Sequence, residues 1–115
     1  MKPDLYLAYE NEITSMKKAY WSEDYTQSFY HLERAHILGQ RHFISHLQTH
    51  WWMLKIGCIR RDMREIMGQI LRILAVFPAH MIGWVPIGNT GGANVSALKP
   101  MTIPDDLSVY FEGKS

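Results

Sequence analysis

The residues of this sequence best suited to chemistry lie in one stretch. His31, His36, His42, His46 and His50, five of the six histidines, fall within twenty residues. Imidazole ligates transition metals and titrates near neutrality, so the cluster points to a metal site or a proton-handling site. His42, His46 and His50 are spaced by four. On a helix that spacing projects the rings along one side, as two ligands of a single ion require. Upstream, Glu33 and His36 stand in the order Glu-x-x-His, and His36 extends the apolar series Tyr25, Phe29, Leu32 by one four-residue step, so it is expected to point inward. With the two segments packed as antiparallel neighbours, Glu33, His36, His46 and His50 form a His and carboxylate set suited to zinc or iron. A ferritin-like di-iron site needs two Glu-x-x-His motifs and further glutamates, and the chain has one such motif. The alternative reading leaves His31 and His42 solvated, with His36 and His50 bonded to backbone or carboxylate groups at the edge of the core.

A second candidate is GNTGGANVS, residues 88 to 96. Its glycine content resembles a phosphate-binding loop, but no Gly-Lys-Ser or Gly-Lys-Thr follows. Gly91 and Gly92 permit positive φ, and Asn89, Thr90 and Asn94 carry donors and acceptors. The expectation is a tight loop laid across the helices, able to roof a small pocket with Trp84 as a wall. Nucleophilic catalysis finds little support. There is no Gly-x-Ser-x-Gly turn, and Cys58, the single cysteine, sits on an apolar stripe where a thiol acts as a small hydrophobe. No catalytic residue is assigned, and whether the chain is an enzyme stays open.

These residues need helices to position them. Tyr6, Tyr9, Ile13, Met16 and Tyr20 recur at three- and four-residue steps, predicting a helix over about 4–20. Ser22 or Asp24 can cap a second over 23–38, ended near Gly39. Ile44, Leu47, Trp51, Leu54 and Cys58 predict a third over 42–57 with that stripe buried. Trp51 is then core, and Trp52, about 100° away, an interface residue. On the same wheel His50 lies roughly 80° from the centre of the stripe and His46 roughly 120°. Asp62 and Glu65 have capping-box spacing, and Met63, Ile66, Ile70, Ile73 and Phe77 carry a fourth helix over 62–77, stopped by Pro78. Glycines and prolines then mark an irregular tail over 78–103. Pro104, Asp105 and Asp106 suit the start of a short helix over 104–111. The fold class is all-α: two tandem helical hairpins, a Gly/Pro-rich tail and a closing helix.

An offset of 38 residues superimposes Lys17 on Lys55, Asp24 on Asp62, Leu32 on Ile70 and Arg34 on Arg72. AYWSEDYTQSFYHLERA resembles a tetratricopeptide repeat, although that repeat has a period of about 34 and normally needs at least three copies. At 115 residues the chain is one domain. Its 12 basic and 11 acidic residues leave a net charge of +1, and the basic group Lys55, Arg60, Arg61, Arg64 and Arg72 is diluted by Asp62 and Glu65. Nucleic acid and anionic membrane are therefore not expected partners. The lone cysteine and the lack of an 18-residue apolar run or signal-like start predict a cytoplasmic protein.

HLERAHILGQ (31–40), HWWMLKIG (50–57) and VPIGNTGGANVSALKPMTIP (85–104) resemble a bacterial single-domain family of unknown function. The resemblance covers nearly the whole chain, includes His31, Glu33, His36, His50, Asn89, Gly91, Gly92 and Asn94, and implies no particular activity. Two functions follow from the residues. The first is a helical module of tetratricopeptide-like shape holding a small ligand or peptide. The second is a transition-metal protein using Glu33, His36, His46 and His50. Self-association as a homo-oligomer through Trp52 is a third option.

Overall fold

The computed structural model describes residues 1–84 and 86–111. Val85, the first residue of the VPIGNTGGANVS string, lies outside the described residues. Five helices follow in order: α1 (Pro3–Trp21), α2 (Tyr25–Gly39), α3 (Phe43–Arg60), α4 (Met63–Met81) and α5 (Asp105–Ser108). No strand occurs among the described residues, and none of the helices is long and apolar enough to cross a membrane. Successive helices pack on one another, α1 on α2, α2 on α3 and α3 on α4.

The helix boundaries have local causes. Asp24 accepts from the Gln27 backbone N–H at 3.1 Å and Asp62 from that of Glu65 at 3.1 Å, so each carboxylate satisfies an orphan donor of the first turn. α3 ends where Arg61 enters the left-handed region at φ 55°, and the Asp62 N–H returns to the Gly57 carbonyl at 3.0 Å. α4 runs on through Pro78, which lies inside its last turn rather than stopping it. A proline removes one i→i−4 bond, which a helix end tolerates better than a helix middle. The closing helix is confined to Asp105–Ser108. It is tied to the body by Arg34, which pairs with both Glu12 of α1 and Asp106 of α5.

The apolar core lies among α1, α2 and α3: Tyr9, Ile13 and Met16 meet Leu32, Leu38, Met53 and Ile56, with Leu107 of α5 at its edge. Tyr9 fastens α1 to α3 through its hydroxyl, which donates to Gln48 Oε1 at 2.7 Å. The buried side of α3 is His46, Thr49, His50, Met53, Ile56 and Gly57. This reverses the sequence expectation. Ile44, Trp51 and Cys58 of the supposed core stripe are exposed, Trp51 by 52%. Trp52 instead packs edge-on against Tyr20 at 5.1 Å, covered by the Lys55 ammonium at 4.4 Å. α4 shows the same inversion: Gln69 and Val76 are buried, whereas Met63, Ile70 and Phe77 are exposed.

Candidate metal centre

The inverted faces of α3 and α4 bring polar side chains together in the interior. His36 projects from the last turns of α2, His46 and His50 from successive turns of α3, and Gln69 from the middle of α4; all four are buried. The chain from Pro86 to Ala93 closes the fourth side. Three imidazoles, those of His36, His46 and His50, place one ring nitrogen each within 4.8 Å of one another.

Hydrogen bonds fix which nitrogens face the centre. His36 Nδ1 lies 2.7 Å from the Asn89 carbonyl oxygen, which can only accept, so Nδ1 carries the proton. His50 Nδ1 lies 2.7 Å from Gln69 Oε1. The Gln69 amide orientation is itself set, because Nε2 donates to Glu65 Oε2 at 2.6 Å and to the Gly91 carbonyl at 2.9 Å. His50 Nδ1 is therefore also a donor. A neutral imidazole with its proton on Nδ1 has a bare lone pair on Nε2. Those two Nε2 atoms face each other at 3.2 Å, and His46 Nε2 lies 3.1 Å from that of His50. Two lone pairs at that distance in a buried site repel unless a Lewis acid or a proton lies between them.

A proton is a poor solution. Burial and the positive charges His50 and His46 would carry push His36 well below the ordinary histidine range, with the Asn89 carbonyl opposing. Burial, then His50 and His80, push His46 down to about 3, while burial takes His50 to about 4 against the bond from Gln69. All three are neutral near pH 7, the state in which imidazole ligates metal. Two of the spacings also suit a metal, since ligands at 2.0–2.1 Å in a tetrahedron are separated by about 3.3 Å; the His36 and His46 nitrogens, the wide pair of a set spanning 4.8 Å, would close by a small ring movement on binding. His80, on the last turn of α4, sets the third ring, its Nε2 lying 2.9 Å from His46 Nδ1. When His46 Nδ1 donates to His80, all three Nε2 lone pairs converge.

The centre opens on a cavity of about 130 Å³ whose lining includes all three histidines, Gln40, Arg72, Trp84 and Leu98. The remaining sequence candidates divide between this site and its surroundings. Asn89 holds His36 with its carbonyl, and its side chain pins the loop by donating to the Ser96 and Lys99 carbonyls and accepting from Gly91 N–H. Gly91, at φ +87°, packs against the His36 ring so closely that an added Cβ would sit 2.6 Å from Cδ2. Gly92 packs toward Phe29 instead. Thr90 is half-buried outside the cavity lining. Glu33 and Asn94 line a separate cavity with Asp62 and Glu65. Burial, then the Glu65 charge, raise the Glu33 carboxyl above the usual carboxylate range. Glu33 is therefore not brought to the three imidazoles.

Sequence reasoning missed Gln69 and His80, and read Arg72 only as part of the diluted basic group. Gln69 had a readable signal, a lone uncharged polar residue flanked by apolar ones in the middle of α4.

A buried three-histidine cluster inside an all-helical domain defines the class. The chain belongs to the family described as "Protein of unknown function (DUF3703)", whose match spans residues 3–111 and so takes in all of the helices and the loop that closes the site. A search of curated proteins and of solved structures finds no match.

Proposed function

We propose that this protein binds one transition-metal ion of the zinc class through Nε2 of His36, His46 and His50, leaving a fourth coordination position toward the cavity. The observation that carries the reading is the pair of bare Nε2 lone pairs of His36 and His50 facing each other at 3.2 Å, each fixed by a carbonyl acceptor on Nδ1. Outer-sphere bonds of that kind orient metal-bound imidazole and raise its basicity. Three neutral nitrogens without a carboxylate or thiolate favour zinc, and imidazole also suits copper and nickel. Iron is less favoured, because the open iron sites that use two histidines require a carboxylate beside them, and Glu33 lies in another cavity. A zinc-class ion with an open position supplies a Lewis acid that polarises an oxygen ligand or acidifies a bound water. The protein contributes the fixed donors and the apolar walls. The helical ligand-binding module, cytoplasmic and tetratricopeptide-like in shape, is on this proposal a metal-centred one, with the ligand held in the cavity beside the ion.

Elemental analysis of protein purified without chelator or affinity metal tests this. The expected result is one zinc-class ion per chain, removed by chelator and restored by Zn²⁺ with a rise in melting temperature. A ratio near zero that Zn²⁺ and Cu²⁺ both fail to raise overturns the proposal.

A further inference from the structure

The cavity beside the histidines carries a second charge. Arg72 lines it, donating to the Gly68 carbonyl at 3.1 Å and the Val95 carbonyl at 2.7 Å, while its buried Nε has no partner. No carboxylate lies among the residues lining that cavity, and no ion pair to Arg72 occurs among the described residues. Three neutral imidazoles, a divalent ion and a guanidinium would together place about three positive charges around an apolar space; the Glu65 carboxylate, acting on Arg72 from outside the cavity, offsets about one of them, and the rest is unfavourable without a counter-ion. The charge is balanced most directly by an anion that ligates the metal and meets Arg72. Ala75, Val76, Ala79, Trp84 and Leu98 make most of the remaining wall apolar, and Gln40, whose buried Oε1 also has no partner, adds one polar acceptor to it. At about 130 Å³ the space is close to the roughly 150 Å³ that accepts a benzene-sized molecule. Building on the metal reading, we infer that the ligand is a small organic monoanion of about six non-hydrogen atoms, a carboxylate with a short apolar tail.

Cobalt-substituted protein titrated with butyrate and with its neutral amide, butyramide, tests the inference through the visible spectrum of the metal. Butyrate is expected to change the spectrum and to bind at least tenfold more tightly than butyramide. Arg72→Met should weaken butyrate at least tenfold while still taking up one cobalt, and Arg72→Lys should retain part of the binding. Equal binding of acid and amide, or butyrate affinity unchanged in a folded, cobalt-loaded Arg72→Met protein, overturns the anion assignment and leaves the metal site standing. Failure to take up cobalt overturns both.

A separate observation concerns the outer face of α4. Met63, Met67, Ile70, Leu74, Phe77 and Met81 are all exposed, Leu74 by 69% and Met81 by 70%. Their spacing alternates four and three, the seam of a helix made to pack against another helix. Exposed Ile44 and Trp51 of α3 extend the face, and Phe43 and Phe77 touch edge-on at 6.1 Å where the two helices meet. At these exposures the face presents on the order of 1,000 Å² of apolar surface. The largest patch on a typical monomer is about 300–600 Å², and each partner of a stable complex contributes about 800 Å². No charged residue interrupts the seam. At 100° per residue it lies opposite the cavity-lining positions Arg72, Ala75 and Ala79, so a partner there leaves the cavity open. The geometry points to a second copy of this chain as the occupant, with two α3–α4 pairs packed about a two-fold axis as a four-helix layer.

Sedimentation at micromolar concentration is expected to give about twice the chain mass of 13.4 kDa. A Met67→Glu, Leu74→Glu double variant should sediment as a monomer with native helix content by circular dichroism. Because Cys58 is the sole cysteine and is exposed, a spin label there gives a second readout, in which a single inter-chain distance is expected. A wild-type monomer at 100 µM, an open-ended polymer, or a dimer that persists in the folded double variant overturns the proposal.

Discussion

Replacing His50 with alanine will abolish stoichiometric metal binding while leaving the metal-free fold largely intact. His50 is the middle of the cluster, with its Nε2 3.1 Å from that of His46 and 3.2 Å from that of His36. Loss of an outer-sphere partner typically weakens a metal site 10–100-fold, so loss of this inner ligand is expected to exceed about 100-fold. Stability separates this account from a purely structural role. A ligand at a hundred times its dissociation constant stabilises the folded state by about 2.7 kcal/mol, on the order of 10 °C in melting temperature for a domain this size. Wild-type protein should show that rise with Zn²⁺, and His50→Ala should show none. Without metal the two proteins should melt within a few degrees of each other, because removing the imidazole relieves the lone-pair repulsion even as it frees Gln69 Oε1. A structural His50 would give the reverse: a large loss of metal-free stability and no effect of Zn²⁺ on either protein. Calorimetry of both proteins, with and without Zn²⁺, provides the measurement.

Gly91→Ala will damage fold and site together. At φ +87° an alanine is strained, and its Cβ would lie 2.6 Å from His36 Cδ2 and 2.8 Å from Nε2. The strained backbone contributes about 1–3 kcal/mol, and displacement of the His36 ring adds to it, so a loss of roughly 3 kcal/mol is expected. The same shift moves a ligating nitrogen and weakens zinc binding. Gly83 is the internal control. It also has positive φ, +73°, but an added Cβ there meets nothing within 4 Å. Gly83→Ala should therefore lose only about 1–2 kcal/mol from backbone strain and keep full zinc affinity. Melting curves and zinc titrations of both variants decide whether the loop is coupled to the site.

The sequence makes some of this legible and hides the rest for physical reasons. Periodicity places α1 to α4 to within a few residues, because capping residues such as Asp24 and Asp62 act locally. It also picks out His36, His46 and His50, since spacings of four are a local geometric fact. What periodicity cannot say is which side of an amphipathic helix faces the interior. On α3 and α4 the apolar stripe would normally be the core face. Here the interior side is given to His46, His50 and Gln69, and Ile44, Trp51 and Leu74 are left outside. That choice follows from packing among four elements, and no single segment carries it. Glu33 illustrates the same limit: it is one helical turn from His36 along α2, yet the turn is enough to put it in a different cavity. The loop's role was only half visible. Its glycines announce a tight path, but the groups that act on the histidines are the carbonyls of Asn89 and Gly91, and a backbone carbonyl has no signature in a sequence.

X-ray absorption at the metal edge of zinc-loaded protein reads the identity of the ligands themselves. A first shell of four light atoms at about 2.0–2.1 Å with the outer-shell scattering of three imidazole rings is expected, and zinc added to His50→Ala should lose that imidazole scattering because it is no longer held at the site. A shell of five or six oxygens without imidazole scattering, or a ring count unchanged by the substitution, would contradict the three-histidine centre.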